Sequence, residues 1–213
     1  MTVHYEDSEI VIHKVVCGPY NNNAYLIDCP RTKESVIIDA PAEPEKTLHV
    51  AQGRVVRAIL ITHSHFDHVL GLKDLRDATQ APLGIHVADA QSPELAPDFH
   101  LMDNATLHVG CLELRFLHTP GHTPGSTCIL VGSHLFTGDT LFPGGPGRTR
   151  TPEAFRQEIR SIDEKLFTLD DKIEVYPGHG DDTRIGKSKE EFRFFVSREH
   201  PPDLCGDVLW LQN

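Results

Sequence analysis

Two β-sheets packed together with helices outside, an α+β architecture, is the fold class predicted here, and three observations predict it. Short β-rich runs dominate the first forty residues. A second set of β-rich runs begins at residue 112, and each set gives way to helical segments. Taken in order, 10–16, 24–29 and 35–39 read as strands, divided by the turn-rich pieces 18–23 and 30–33. Within the first piece, Asn21–Asn23 reads as a turn. Residues 44–51 read as a short helix, 55–61 as an apolar β-branched strand, 71–78 as a helix and 83–87 as a strand. In the second half, 112–118, 127–131 and 134–137 have β composition, and Gly132-Ser133 marks a tight hairpin between the last two. The span 152–166 carries the strongest helix signal. Thr151 is a candidate N-cap, Pro152 occupies the first position, and Phe155, Ile159, Ile162 and Leu166 follow helical spacing. A strand at 172–176 and a helix at 188–197 complete the pattern.

The 213 residues suit one domain over 1–213, and 39% hydrophobic against 24% charged residues excludes a wholly disordered chain. Asp and Glu exceed Lys and Arg by 31 to 20, and a net charge of −11 repels phosphate backbones, which disfavours a nucleic-acid partner. No apolar run approaches a membrane span, so no membrane partner is expected. The acidic first ten residues lack the basic and apolar regions of a signal peptide, which makes the cytoplasm the expected compartment. The five cysteines are odd in number and form no CxxC pair, so they read as reduced, mostly buried residues. Histidine is the unusual residue: there are 14.

Thr62-His63-Ser64-His65-Phe66-Asp67-His68 follows the apolar strand directly. Residues two apart in an extended segment point the same way, so His63, His65 and Asp67 converge on one side. His68 points away unless the backbone turns there. Three further ligand-type side chains sit in Gly- or Pro-bounded turns after strands: His122, Asp139 and His179. Five His and two Asp suggest two metal ions. With Asp139 shared, His63, His65 and His122 serve one ion while Asp67, His68 and His179 serve the other. Room then remains for a bridging water, as at a catalytic rather than a structural site. Nitrogen and oxygen ligands without thiolates suit divalent Zn, with Fe or Mn as alternatives.

These motifs resemble the metallo-β-lactamase superfamily, and within it the single-domain glyoxalase II-like hydrolases. The resemblance rests on Asn23-Ala-Tyr-Leu-Ile27, the HxHxDH motif at 63–68, Pro120–Ser126, Gly138-Asp-Thr-Leu-Phe142 and Pro177-Gly-His-Gly180. It implies an αββα four-layer sandwich with the metal site at one edge of the sheets. It also implies hydrolysis of a small-molecule thioester or ester, such as S-lactoylglutathione, by a hydroxide shared between two ions, with Asp67 orienting it. Only 34 residues follow His179, too few for the helical C-terminal domain with which two-domain glyoxalase II enzymes grip glutathione. Asp139 stands where class B β-lactamases usually carry Cys, which argues against antibiotic hydrolysis. A persulfide dioxygenase with one iron on His63, His122 and Asp139 is the rival reading, and a lactonase or other ester hydrolase a third.

Weaker signals surround this set. The Gly-rich segment 144–149 lacks the order of a phosphate-binding loop and reads as a rim after Asp139. Arg148 is a candidate for a substrate carboxylate or for an internal salt bridge. Phe142 and Tyr176 are candidates for the pocket wall or for the core. Among the other histidines, His118 lies nearest to a ligand context, and the sequence leaves the oligomeric state open.

Overall fold

A computed structural model describes residues 3–212. The first sheet contains β1 (Tyr5–Glu6), β2 (Val11–Cys17), β3 (Asn22–Asp28), β4 (Glu34–Ile38), β5 (Val55–Leu60), β6 (Leu83–Ile85) and β7 (Phe99–His100), hydrogen-bonded in that order. Strands β1 to β4 pair antiparallel, and β4 to β7 pair parallel. The chain then builds β8 (Thr106–Val109), β9 (Leu112–His118), β10 (Thr127–Val131) and β11 (His134–Gly138). A small hairpin follows, β12 (Leu141–Phe142) with β13 (Gly145–Pro146), before β14 (Glu174–Pro177) and β15 (Thr183–Arg184). The second sheet has the order β15-β14-β11-β10-β9-β8, and only its β11–β14 pair is parallel. Helices α1 (Pro44–Val50) and α2 (Leu72–Thr79) belong to the first half, α3 (Pro152–Ser161) and α4 (Ile185–Val196) to the second.

Alternation along the strands divides the apolar residues among three cores. On β4, Val36 and Ile38 join Tyr25, Leu60, Phe116, Ile129 and Phe136 between the two sheets. Ile37 faces the other way, with Leu26, Ile59, Val50 of α1 and Leu72 and Leu75 of α2. Across the second sheet, Leu117, Leu135 and Val175 pack with Phe155 of α3, Phe195 of α4 and Trp210. Three cores require four layers: helices, sheet, sheet, helices. The expected αββα sandwich is therefore the observed fold.

Most expected elements are present, with shifted ends. Thr151 caps α3 by accepting the Ala154 N–H at 3.2 Å, as its position predicts. The helix widens after Ser161 into a looser turn at Ile162–Leu166. The short strands β1, β7, β8 and β15 and the β12–β13 hairpin are not foreseen from the sequence, because two to four residues carry too little periodicity to register. The turn expected at Asn21–Asn23 is confined to Asn21, whose φ is 53°. Asn22 and Asn23 are instead buried residues at the start of β3.

The segment after α4 returns across the second sheet and ends the third core with Trp210, which is fully buried against Phe192 and Phe167. Its backbone N–H donates to Gly144 O at 2.8 Å, so the tail also pins the loop between β12 and β13. Trp210→Ala is expected to cost about 3–5 kcal/mol of stability, the range for emptying a large aromatic site. Trp210→Phe is expected to cost clearly less, because the indole Nε1 has no hydrogen-bond partner among the described residues. Denaturant unfolding of the two variants checks this.

Candidate metal centre

Strand order delivers the functional turns to one edge of the sandwich. Because β4 and β5 are parallel, Asp39 and the segment Thr62–His68 leave the first sheet side by side. Because β11 and β14 are parallel, Asp139 and His179 leave the second sheet side by side. The β9–β10 connection adds His122 from the same edge.

The local backbone explains each side chain. Extended geometry at His65 gives way to one tight helical turn at Phe66–His68, and this turn brings His68 back towards His63, His65 and Asp67. His63 Nε2 lies 3.1 Å from His65 Nδ1, and His122 Nε2 lies 2.8 Å from that same nitrogen. On the other side, His68 Nε2 lies 3.3 Å from His179 Nε2, while Asp67 Oδ2 lies 3.7 Å and 3.3 Å from these two nitrogens. Asp139 sits between the groups. Its carboxylate oxygens lie 3.6 Å from His122 Nε2 and from His179 Nε2, 3.4 Å from His68 Nε2 and 4.0 Å from His63 Nε2. All seven sequence-predicted side chains are thus brought together.

Hydrogen bonds behind the cluster fix which atoms face inward. His122 Nδ1 is 2.9 Å from Arg148 O, His179 Nδ1 is 2.9 Å from Tyr20 O, and His68 Nδ1 is 2.9 Å from Asp39 Oδ2. Each Nδ1–H is a donor to its oxygen, which leaves Nε2 as the ring nitrogen that faces the centre. Burial pushes the His63 imidazole well below its ordinary pKa and lowers His65 and His122 as well, which keeps those lone pairs free. Burial also opposes charge on His68, but Asp39 and Asp139 outweigh it and hold that ring well above its ordinary value. For Asp139 burial is likewise overcome, by His68, His63 and His122, and the carboxyl stays far below the usual range. Asp139 Oδ1 is buried and has no hydrogen-bond partner among the described residues. Lone pairs facing one another around an orphaned carboxylate oxygen are the environment a cation satisfies. Three sets could each hold an ion: His63, His65 and His122; His63, His68 and Asp139; and Asp67, His68 and His179.

The remaining candidates divide. Phe142 and Arg148 line a cavity of about 330 Å³ that opens on His122, Asp139 and His179. Arg148 forms the internal pair with Asp207 at 3.6 Å, although both side chains are largely exposed. Tyr176 is a correction. It does not reach this cavity, because alternation on β14 sends it into the inter-sheet core, where it stacks on Phe136 and meets His134 Nδ1 at 3.0 Å. His118 stacks on His86 outside the cluster.

Sequence reading missed three supporting residues. Asn22 donates through its amide to Asp67 Oδ2 at 2.9 Å. Asp89 accepts from Ser64 N, Gly125 N and the Thr123 hydroxyl, tying the two histidine loops together. Asp39 accepts from Thr62 N at 2.8 Å and holds His68. Asp39→Asn is expected to weaken metal binding by about 10- to 100-fold, the usual effect of losing the partner that orients a ligating imidazole. Asn tolerates the left-handed backbone of position 39, where φ is 62°, so the fold survives. Titration with a metal-sensitive dye measures the loss.

The comparisons agree with this geometry. Residues 17–179 match the family model described as the metallo-beta-lactamase superfamily, and the chain belongs to that superfamily. It is a metal-dependent hydrolase of the glyoxalase II-like kind. A hydroxyacylglutathione hydrolase of Polaromonas sp. is 35% identical over 94% of this chain and 75% of its own. The crystal structure of ETHE1 from Myxococcus xanthus superposes with a TM-score of 0.79 and 29% identity, over 88% of this chain and 85% of that one. A di-iron-bound form of TTHA1623 superposes with a TM-score of 0.71 and 31% identity, over 83% and 96% of the two chains.

Proposed function

We propose that the chain hydrolyses a thioester or ester of a small acyl group at a pair of divalent ions. One observation carries this reading: two separate triads flank the single Asp139 carboxylate. His63, His65 and His122 would hold the first ion and Asp67, His68 and His179 the second, with Asp139 shared. The ions would supply water of lowered pKa and an electrophile for the carbonyl oxygen. The ligand chemistry fits zinc best, with iron or manganese close behind. Asp67, steadied by the Asn22 amide, would orient the nucleophile. Phe142 packs beside His179 at 6.5 Å between ring centroids and offers an apolar wall, while Arg148 offers a cation to a substrate carboxylate. The name hydroxyacylglutathione hydrolase carried by the Polaromonas relative supports a thioester. No described helix is long and apolar enough to cross a membrane, and the proposed compartment is the cytoplasm.

The second triad favours two ions over the single iron of a dioxygenase. Metal quantification on protein purified without added metal is expected to give two ions per chain. Assays with S-lactoylglutathione, other acyl thioesters, lactones and glutathione persulfide are expected to show thioester hydrolysis without oxygen uptake. One iron per chain with oxygen consumption would overturn the reading.

A further inference from the structure

We propose that Cys111 and Cys29 form a thiol–disulfide exchange site for a small disulfide bearing both carboxylate and ammonium groups. The two cysteines are 82 positions apart in sequence and adjacent in space. Cys29 follows β3 of the first sheet, and Cys111 lies in the two-residue turn between β8 and β9 of the second. The Cys111 N–H donates to Cys29 Sγ at 3.4 Å, and the Cβ of Cys111 is only two bonds from that nitrogen. Gly110, with φ 58°, lets the turn close over the thiol, since a Cβ there would stand 2.8 Å from Cys29 Sγ. The pair lies at the end of β3 opposite Asn22, away from the metal centre.

The two thiols have different surroundings, and the difference assigns their roles. Cys111 is exposed, whereas Cys29 is fully buried. Cys111 also lines a cavity of about 480 Å³ together with Arg31, Glu9 and Glu113. Arg31 makes no ion pair among the described residues, so it is free to receive a carboxylate, and the two glutamates suit an ammonium group. For Cys29, burial pushes the thiol up. Hydrogen bonds from the Thr32 hydroxyl and from the N–H groups of Cys111, Thr32 and Arg31 outweigh it and bring the thiol to about 7.

The exchange has two steps. The Cys111 thiolate attacks one sulfur of the bound disulfide, forming a mixed disulfide and releasing one small thiolate. The Cys29 thiolate then attacks the Cys111 sulfur, forming the Cys29–Cys111 bond and releasing the second. Two protein thiols are oxidised, one disulfide is reduced to two thiols, and the two protons of Cys29 and Cys111 pass to the released thiolates. The new bond links the two sheets.

The test incubates the full chain with oxidised glutathione, quenches with acid, and counts free thiols under denaturing conditions before peptide mapping. The count is expected to fall from five to three, with a 29–111 cross-link and no retained glutathione. Cys29→Ser is expected to trap glutathione on Cys111, and Cys111→Ser, a surface change, to leave Cys29 reduced. Arg31→Ala is expected to slow the reaction with oxidised glutathione but not with uncharged hydroxyethyl disulfide. Glutathione retained on wild-type Cys111, five free thiols throughout, a cross-link between two chains, or equal slowing with both disulfides would overturn the proposal.

Discussion

Asp139→Ala is expected to remove bound metal and hydrolysis together. Asp139 stands within 4.0 Å of nitrogens from both triads, meeting His63 and His122 on one side and His68 and His179 on the other. Its carboxylate is also the negative charge at the centre of four imidazoles. Without it, cations would meet nitrogen ligands with only Asp67 to offset their charge. The loss in metal affinity therefore exceeds the roughly 10- to 100-fold produced by an outer partner such as Asp39. Asp139→Asn keeps the shape and one neutral oxygen, and an intermediate loss is expected. The fold stays intact in both variants, because Asp139 follows the last residue of β11 and contributes nothing to the three apolar cores. Elemental analysis, thioester turnover and thermal melting on the same preparations separate these effects. A variant with two ions and wild-type turnover would end the shared-carboxylate scheme.

What made the centre legible is that its strongest signal is local. His63 and His65 obey the period-two rule at the end of an apolar strand, and the turn at Phe66–His68 adds Asp67 and His68 within the same six residues, turning Asp67 to the His68 and His179 side instead of the side that extended alternation predicts. His122, Asp139 and His179 were readable because Gly and Pro mark the turns that hold them. Asp39, Asp89 and Asn22 carry no such mark. Asp39 acts on His68 across 29 positions, and Asp89 reaches both Ser64 and Gly125 only once the sheets are stacked. Asn22 sits in a run of three asparagines whose local preference is a turn, and tertiary pairing with β2 overrides that preference. Tyr176 is a different case. In sequence it is a candidate for the pocket wall or for the core, and alternation along β14 faces it into the core. The layer order followed from strands and helices recurring in two sets, whereas the tail that ends in Trp210 has no periodicity, and its docking is decided by the third core.

Gly178→Ala is expected to weaken metal binding, the second ion most. Gly178 lies between β14 and His179, with its N–H donating to Gly138 O at 2.8 Å and its carbonyl accepting the Asn23 N–H at 2.7 Å. The backbone is therefore held from both sheets and cannot move aside. A Cβ at this position would stand 2.4 Å from Asp139 Oδ1 and 2.7 Å from His68 Cε1. His68 is fully buried and bound to Asp39, so the added methyl displaces the Asp139 carboxylate from His68. Fewer than two ions per chain are expected, with turnover down by more than about 100-fold, the upper limit for an outer partner. Overpacking of this kind costs about 1–3 kcal/mol of stability, small enough for the fold to persist. Gly180→Ala is the matched control. Its φ of 69° makes the change mildly unfavourable, but nothing lies within 4 Å of the new methyl, so metal content and turnover should hold. Elemental analysis of the two variants decides the point: two ions and full activity in Gly178→Ala would show that the cradle formed by Asp139, His68 and Gly178 is not where the second ion binds.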